Sequence, residues 1–284
     1  AVLNGAKLFL NSTVGEITDE GGFYRIKAGN NVIETKYIVN AAGTFADKIN
    51  NMVAKPFFRI LPVKGEYYIL DKSEGSLVSH TIFQAPGKFG KGVLISPTVH
   101  GNLIVGPTAD AAEGPEDTSV TAQGLEKVMK TALRSDTHVN FRESIRNFAG
   151  VRATADTRSD FIIDASPDAP RFVNAAAIKS PGLSSSPAIA KEVRSILESI
   201  GLVCEEKDFF TDYRRETLFK LMTAEEKEKA LKSNPLYGRV ICRCETITEG
   251  DIRSVLNGPI PPVSIDGVKR RCNAGMGRCQ GGFC

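Results

Sequence analysis

Five of the six cysteines, Cys242, Cys244, Cys272, Cys279 and Cys284, fall within the last 43 of 284 residues. The chain opens AVLNGAKLFL, without the charged-then-apolar layout of a secretory leader. Thiols crowded together in such a chain favour metal ligation over disulfides. Cys242-x-Cys244 stands 34 residues before Cys279-x4-Cys284. A zinc ribbon pairs C-x2-C with C-x2-C, so two unlike spacings argue against one. Cys204 stands apart and reads as a buried small hydrophobe.

A second set of groups lies upstream. Ser180-Pro181-Gly182-Leu183-Ser184 opens a helix whose first N–H groups lack intrahelical partners, so they must meet water, a capping side chain or an electron-rich ligand. Ala41-Ala42-Gly43 follows an apolar strand, and small residues there let a backbone approach a ligand closely. Arg152, in the segment Gly-Val-Arg, offers a guanidinium that grips a carboxylate or phosphate bidentately, or forms a salt bridge with Asp156 or Asp160. Lys64, beside Gly65 in what reads as a turn, and His100, in a turn before Gly101, are further candidates for substrate contact. The ordinary pKa of His100, near 6.5, suits a proton acceptor.

The elements that must position these groups read as an α+β chain. Residues 1–54 give strands at Lys7 to Leu10, up to Ile17, Phe23 to Ala28 and Val32 to Val39, with a hairpin turn at Asp19 to Gly22. Short β-rich runs fill residues 55–149, as an antiparallel sheet requires, together with an amphipathic helix from Thr121 to Arg134. A second helical stretch is expected at Arg142 to Phe148, leading into a turn at Gly150 to Arg152. Residues 150–203 continue as strand, turn, strand, loop and helix, stopped at Gly201. Residues 204–235 are polar and helical, with a capping box at Thr223 to Glu226, and serve as a linker. In 236–284, Thr248 to Asp251 caps a helix, and residues 273 to 278 form a small-residue turn before Cys279.

With 42% hydrophobic and 24% charged residues the chain can build two compact domains. A net charge of +3 is too weak a signal for nucleic acid. No apolar run reaches the length of a membrane span, which makes a cytoplasmic location the default, with peripheral membrane attachment through a partner as a variant.

Gly150 to Val193 and YIVNAAGTFAD resemble the C-terminal part of FAD-dependent oxidoreductases of the D-amino-acid oxidase/glycerol-3-phosphate dehydrogenase family. The resemblance implies a partial FAD-binding domain (1–54 and 150–203) around an antiparallel-sheet substrate domain (55–149). It implies loop N–H groups of 180–184 and Lys179 at the N1/C2=O edge of the flavin, and Ala41, Ala42 and Gly43 beside its pyrophosphate and ribityl portion. Arg152 would bind the acidic group of the substrate. No G-x-G-x-x-G follows a strand. On this reading the N-terminal half of the FAD domain is missing, as a truncation or a separate subunit, and the piece alone is inactive.

The tail (236–284) resembles the bacterioferritin-associated-ferredoxin type of 2Fe-2S domain, as found in enzymes resembling the anaerobic glycerol-3-phosphate dehydrogenase A subunit. By that resemblance Cys242, Cys244, Cys279 and Cys284 are the thiolates and Cys272 a bystander. Zinc and an empty or oxidised site remain as alternatives. A local surplus of Lys and Arg would stabilise the negative charge of a cluster. The expected activity is hydride transfer to FAD from a small acidic substrate, first glycerol 3-phosphate, then 2-hydroxy or amino acids, with electrons passed to the cluster and onward to an acceptor or partner subunit. The competing expectation is a non-catalytic electron-transfer or iron-sensing module.

Overall fold

The computed structural model describes residues 1–85, 92–212 and 218–284. It divides into two compact units, Phe9–Glu206 and a second built from Ala1–Leu8 with Lys207–Cys284. The architecture is mixed α/β with several antiparallel sheets and a small C-terminal domain, as the sequence leads one to expect.

In the larger unit, β1 (Val14–Asp19), β2 (Tyr24–Ala28) and β3 (Asn31–Thr35) form an antiparallel sheet. Lys7 to Leu10 is not a strand: Leu8, Phe9 and Leu10 are exposed and pair with nothing described. The expected strand over Val32 to Val39 is broken after Thr35, and β4 (Ile38–Asn40) leaves for another sheet. There β4 runs parallel to β11 (Phe172–Ala176), which pairs antiparallel with β10 (Ile162–Ala165). Every residue of β11 is buried, so its apolar run lacks alternation. Helix α1 (Ala46–Asn50) follows β4. Asn40, Asn174 and Asn50 form a buried amide chain, in which Asn40 Nδ2 donates to Asn174 Oδ1 and Asn174 Nδ2 to Asn50 Oδ1. Each buried amide thus finds a partner.

The third sheet is organised on two long strands, β5 (Ile60–Leu70) and β9 (Ser144–Ala155), antiparallel along their length. Around them lie β6 (Leu94–Pro97), β7 (Leu103–Gly106) and β8 (Asp110–Ala111). Helix α2 (Ala122–Ala132), capped by Thr121, buries Val128 and Ala132 against Leu70, Ile95, Leu103 and Val105. Three expectations fail here. Arg142 to Phe148 is a single 3-10 turn (Phe141–Glu143) running into β9, and Gly150 to Arg152 is mid-strand. Lys64-Gly65 is likewise inside β5 rather than in a turn.

Helix α3 (Gly182–Ser199) follows β11 and ends at Gly201, whose φ of 100° is the left-handed conformation a helix stop favours. Cys204 is exposed, contrary to the expectation of burial.

In the smaller unit, α4 (Ala224–Ser233) begins with the expected capping box on Thr223 and Glu226. The hairpin β12 (Val240–Cys242) and β13 (Ile247–Thr248) leads into α5 (Glu249–Leu256), capped reciprocally by Thr248 and Asp251, and then α6 (Ile265–Cys272). Their core is Cys242, Ile247 and Cys272, flanked by Ile252, Val255 and Val268.

Candidate active site and cysteine centre

The strand register decides which side chains share a face, because alternate residues point to opposite sides of a sheet. Ala153 and Ala155 of β9 point inward with Ile60 and pack against Ala46, Ala176 and Ala177. That core ties β9 to the segment after Ala41-Ala42-Gly43 and to the start of the 180–184 loop. Arg152 faces the other side. Val63 is its register partner, and Tyr67 and Phe148 stack on the same face with centroids 4.8 Å apart. Arg152 Nη2 donates to the carbonyl of Thr108 at 3.3 Å. Neither Asp156 nor Asp160 pairs with it. Asp156 instead accepts from the Arg59 N–H, and Asp160 from the Phe161 N–H.

At the end of β4, Ala42 N–H donates to Asn40 Oδ1, and Gly43 takes φ 58° with open space where a side chain would stand. The residue before α3 is Pro181, which supplies no side-chain cap. Gly182 N–H is taken by the Lys179 carbonyl and Ser185 N–H by Pro181. Among the described residues no acceptor meets the N–H groups of Leu183 or Ser184. Ser180 and Ser184 are exposed, Leu183 is almost fully so, and Lys179 is half-buried. The small residues and uncapped N–H groups fit an electron-rich, extended ligand such as FAD at the parts of it these residues would touch.

Two expected site residues are placed elsewhere. Lys64 is buried in β5, with Nζ 2.9 Å from Asp117 and 3.1 Å from Ser119 Oγ. Its charge is spent on an internal carboxylate, so it is no substrate ligand. His100 is exposed in the turn between β6 and β7. Leu103, just past that turn, pairs with Leu70, whereas Arg152 pairs with Val63. Seven residues of strand separate them, roughly 24 Å at about 3.4 Å per residue. His100 therefore cannot act on a substrate held by Arg152. Tyr67, Phe148, Gly65 and Thr108, on or beside the Arg152 face, were not singled out from the sequence. Only the long β5–β9 pairing reveals them, and that pairing is non-local.

In the smaller unit the cysteines meet as two pairs. Cys244 Sγ lies 3.7 Å from Cys279 Sγ, and Cys284 lies near enough to Cys242 for that thiol to help raise its pKa. Among the described residues no three His, Cys, Asp or Glu side chains close around one ion. Pairing suits a two-iron cluster, in which each iron takes two thiolates. Gly275 N–H donates to Cys242 Sγ at 3.4 Å, and Gly281 and Phe283 N–H groups point at Cys279. Those N–H groups, Gly281's foremost, hold the Cys279 pKa below the ordinary thiol range. The thiol contact with Cys279 raises that of Cys244, and burial raises that of Cys284. Gly275 and Gly281 both adopt positive φ, and a side chain on Gly277 would collide with Cys244 Cβ. The cradle therefore fits a 2Fe-2S cluster. Cys272 is buried, with Sγ donating to the Val268 carbonyl, and burial pushes its pKa up, as for an inert thiol. The basic side chains are largely tied down nearby: Arg239 and Arg253 pair with Glu249, and Arg270 with Asp266.

The model of the FAD dependent oxidoreductase family, DAO, matches residues 1–196. The chain belongs to this family. A BFD-like [2Fe-2S] binding domain matches residues 240–284, over the paired cysteines. The chain is 46% identical over its whole length to a glycerol 3-phosphate dehydrogenase of Caloramator mitchellensis, covering 59% of that protein. It is 32% identical over 165 residues to a glycerol 3-phosphate oxidase of Mycoplasma genitalium, covering 58% of this chain and 43% of the relative. The FAD-bound, dithionite-reduced L-alpha-glycerophosphate oxidase of Mycoplasma pneumoniae superposes with a TM-score of 0.60 at 30% identity, covering 66% of this chain and 50% of that one. The chain thus spans about half the length of the relatives it matches. Among the described residues no helix of this family member is long and apolar enough to cross a membrane.

Proposed function

We propose that this chain is the C-terminal part of a flavin-dependent dehydrogenase that oxidises a small acidic substrate, glycerol 3-phosphate, and passes the electrons on through a 2Fe-2S cluster. On this reading residues 1–54 and 150–203 complete an FAD domain begun by an N-terminal half, 55–149 cover the substrate, 204–235 link, and 236–284 hold the cluster. The observation that carries the reading is Arg152, a cation with no carboxylate partner among the described residues, on a strand whose inward face packs against the segments that would hold FAD.

When bound, FAD would supply a hydride acceptor and the cluster a one-electron acceptor. The chain's own residues do the rest. Arg152 grips the phosphate and fixes the substrate's orientation, with Tyr67 and Phe148 excluding water beside it. The Leu183 and Ser184 N–H groups and the Lys179 ammonium place positive charge at the loop, where a ring edge gaining negative charge is stabilised. Ala41, Ala42 and Gly43 leave the end of β4 bare for the cofactor chain. Cys242, Cys244, Cys279 and Cys284 hold the cluster, and the Gly275, Gly281 and Phe283 N–H groups offset its charge.

The test is a substrate panel offered to the full-length protein loaded with FAD. Glycerol 3-phosphate is expected to give the highest kcat/KM, and Arg152→Ala to lower it by about a hundredfold, as loss of a bidentate charged contact does. Equal activity of Arg152→Ala and wild type would end the assignment.

A further inference from the structure

We propose that Gly65 and Thr108 form a seat that orients the Arg152 guanidinium without neutralising it, making them positioning residues for anion recognition. This rests on the reading of Arg152 given above. Gly65 lies on the same face of β5 as Val63, the register partner of Arg152, and opposite Gly150. The bare backbone there is where the guanidinium lies. A Cβ on Gly65 would stand 2.9 Å from Arg152 Nη2, 2.9 Å from Pro107 Cβ and 3.2 Å from the Thr108 carbonyl oxygen. All three are closer than ordinary van der Waals contact allows, so a methyl group there displaces the guanidinium.

The partner chosen for Nη2 matters as much as the space. A neutral carbonyl takes one of the five guanidinium donors and fixes its plane, while leaving the full positive charge and the other donors for a ligand. A carboxylate in that place would cancel the charge instead.

Thr108 is itself held rigidly. It is buried, its N–H donates to the Glu66 carbonyl at 3.3 Å, and its Oγ1 accepts from Glu66 N–H at 3.1 Å. On the opposite face of β5 the side chains flanking Gly65 are locked as well. Lys64 binds Asp117 and Ser119, and Glu66 accepts from Thr121 N–H and Oγ1 at 3.2 and 3.1 Å. The buried charges on one face thus hold flat the strip of backbone on which Arg152 rests on the other. This gives the Lys64 ion pair a role in recognition although Lys64 touches no substrate.

A double-mutant cycle in the full-length, FAD-loaded enzyme tests the seat, read as KM for glycerol 3-phosphate and as the inhibition constant of inorganic phosphate. Gly65→Ala is expected to raise both by about tenfold, the loss of one well-placed charged contact. In an Arg152→Ala background the same change is expected to add nothing, because the group it displaces is gone. Additive effects, or an unchanged phosphate constant in Gly65→Ala, would overturn the seat. If Arg152→Ala alone changes neither constant, the reading of Arg152 fails instead, and the two failures are distinct. Should Gly65→Ala not fold, Thr108→Val runs the same cycle by loosening the carbonyl without adding bulk at residue 65. It is expected to raise both constants several-fold in wild type and not at all with Arg152→Ala, and any other pattern counts against the proposal.

Discussion

The Lys64–Asp117 pair contributes to how the larger unit responds to pH. Ser119, then Lys64, hold the Asp117 carboxyl below its usual range, and Asp117 holds the Lys64 ammonium above its own. A depressed carboxylate stabilises the fold above its unfolded value, roughly 4, and that contribution is lost as pH falls through the folded value. A raised ammonium stabilises fully below its unfolded value, roughly 10, and the contribution is lost as pH rises through the folded one. The pair is therefore worth most between those limits. Asp117→Asn is expected to lower the thermal midpoint near neutral pH and to flatten its acid limb; a midpoint profile identical to wild type below pH ~4 and above it would count against the pair. Gly277 makes a comparably sharp case in the smaller unit. Gly277→Ala should push Cys244 aside and abolish the visible absorption of the cluster while the protein still folds, and retention of that absorption would show the cradle to be looser than its contacts indicate.

Elements differ in how openly the sequence declares them. The capping boxes at Thr223 and Thr248, the helix stop at Gly201 and the strands either side of the Pro167 to Pro170 turn are local signals, each carried by a few adjacent residues, and each forms where expected. The two longest strands were not legible. Gly150 and Gly65 look like turn residues, and the polar run from Arg142 suggests a helix, because nothing local reports that β5 and β9 will pair residue for residue across some eighty positions. Gly65 is bare for a tertiary reason, since it makes room for Arg152. The same distance hid the fate of Lys64, whose partner Asp117 lies far along the chain. At this scale the Thr248 cap offers a measurement. It is fully buried, its side chain accepts from Asp251 N–H and bonds the Asp251 carboxylate, and α5 starts from it. Thr248→Ala is expected to destabilise the smaller unit by about 1–2 kcal/mol in denaturant unfolding, and a loss well under ~0.5 kcal/mol would mean the cap is dispensable.

For the whole molecule, the cysteine pattern and the strand-loop-helix of 150–193 pointed to an FAD-dependent oxidoreductase with a 2Fe-2S tail, and the family matches agree. What spacing alone could not supply was the arrangement of the thiols. They meet as two pairs, Cys244 with Cys279 and Cys242 with Cys284, so each motif contributes one thiol to each pair. Both motifs therefore contribute thiols to one site, and loss of either end should release the whole cluster. Cys284→Ser is expected to lose cluster iron as fully as Cys242→Ser does, whereas Cys272→Ser should keep it; iron assays of the purified variants decide this.

The most direct measurement is anaerobic addition of glycerol 3-phosphate to the full-length, FAD-loaded protein, followed by visible absorption and low-temperature EPR. The account predicts that flavin absorption bleaches, that a reduced 2Fe-2S signal appears in wild type but not in Cys244→Ser, and that Arg152→Ala bleaches only at far higher substrate concentration. An oxidised flavin that ignores glycerol 3-phosphate, or an Arg152→Ala titration superimposable on wild type, would contradict it.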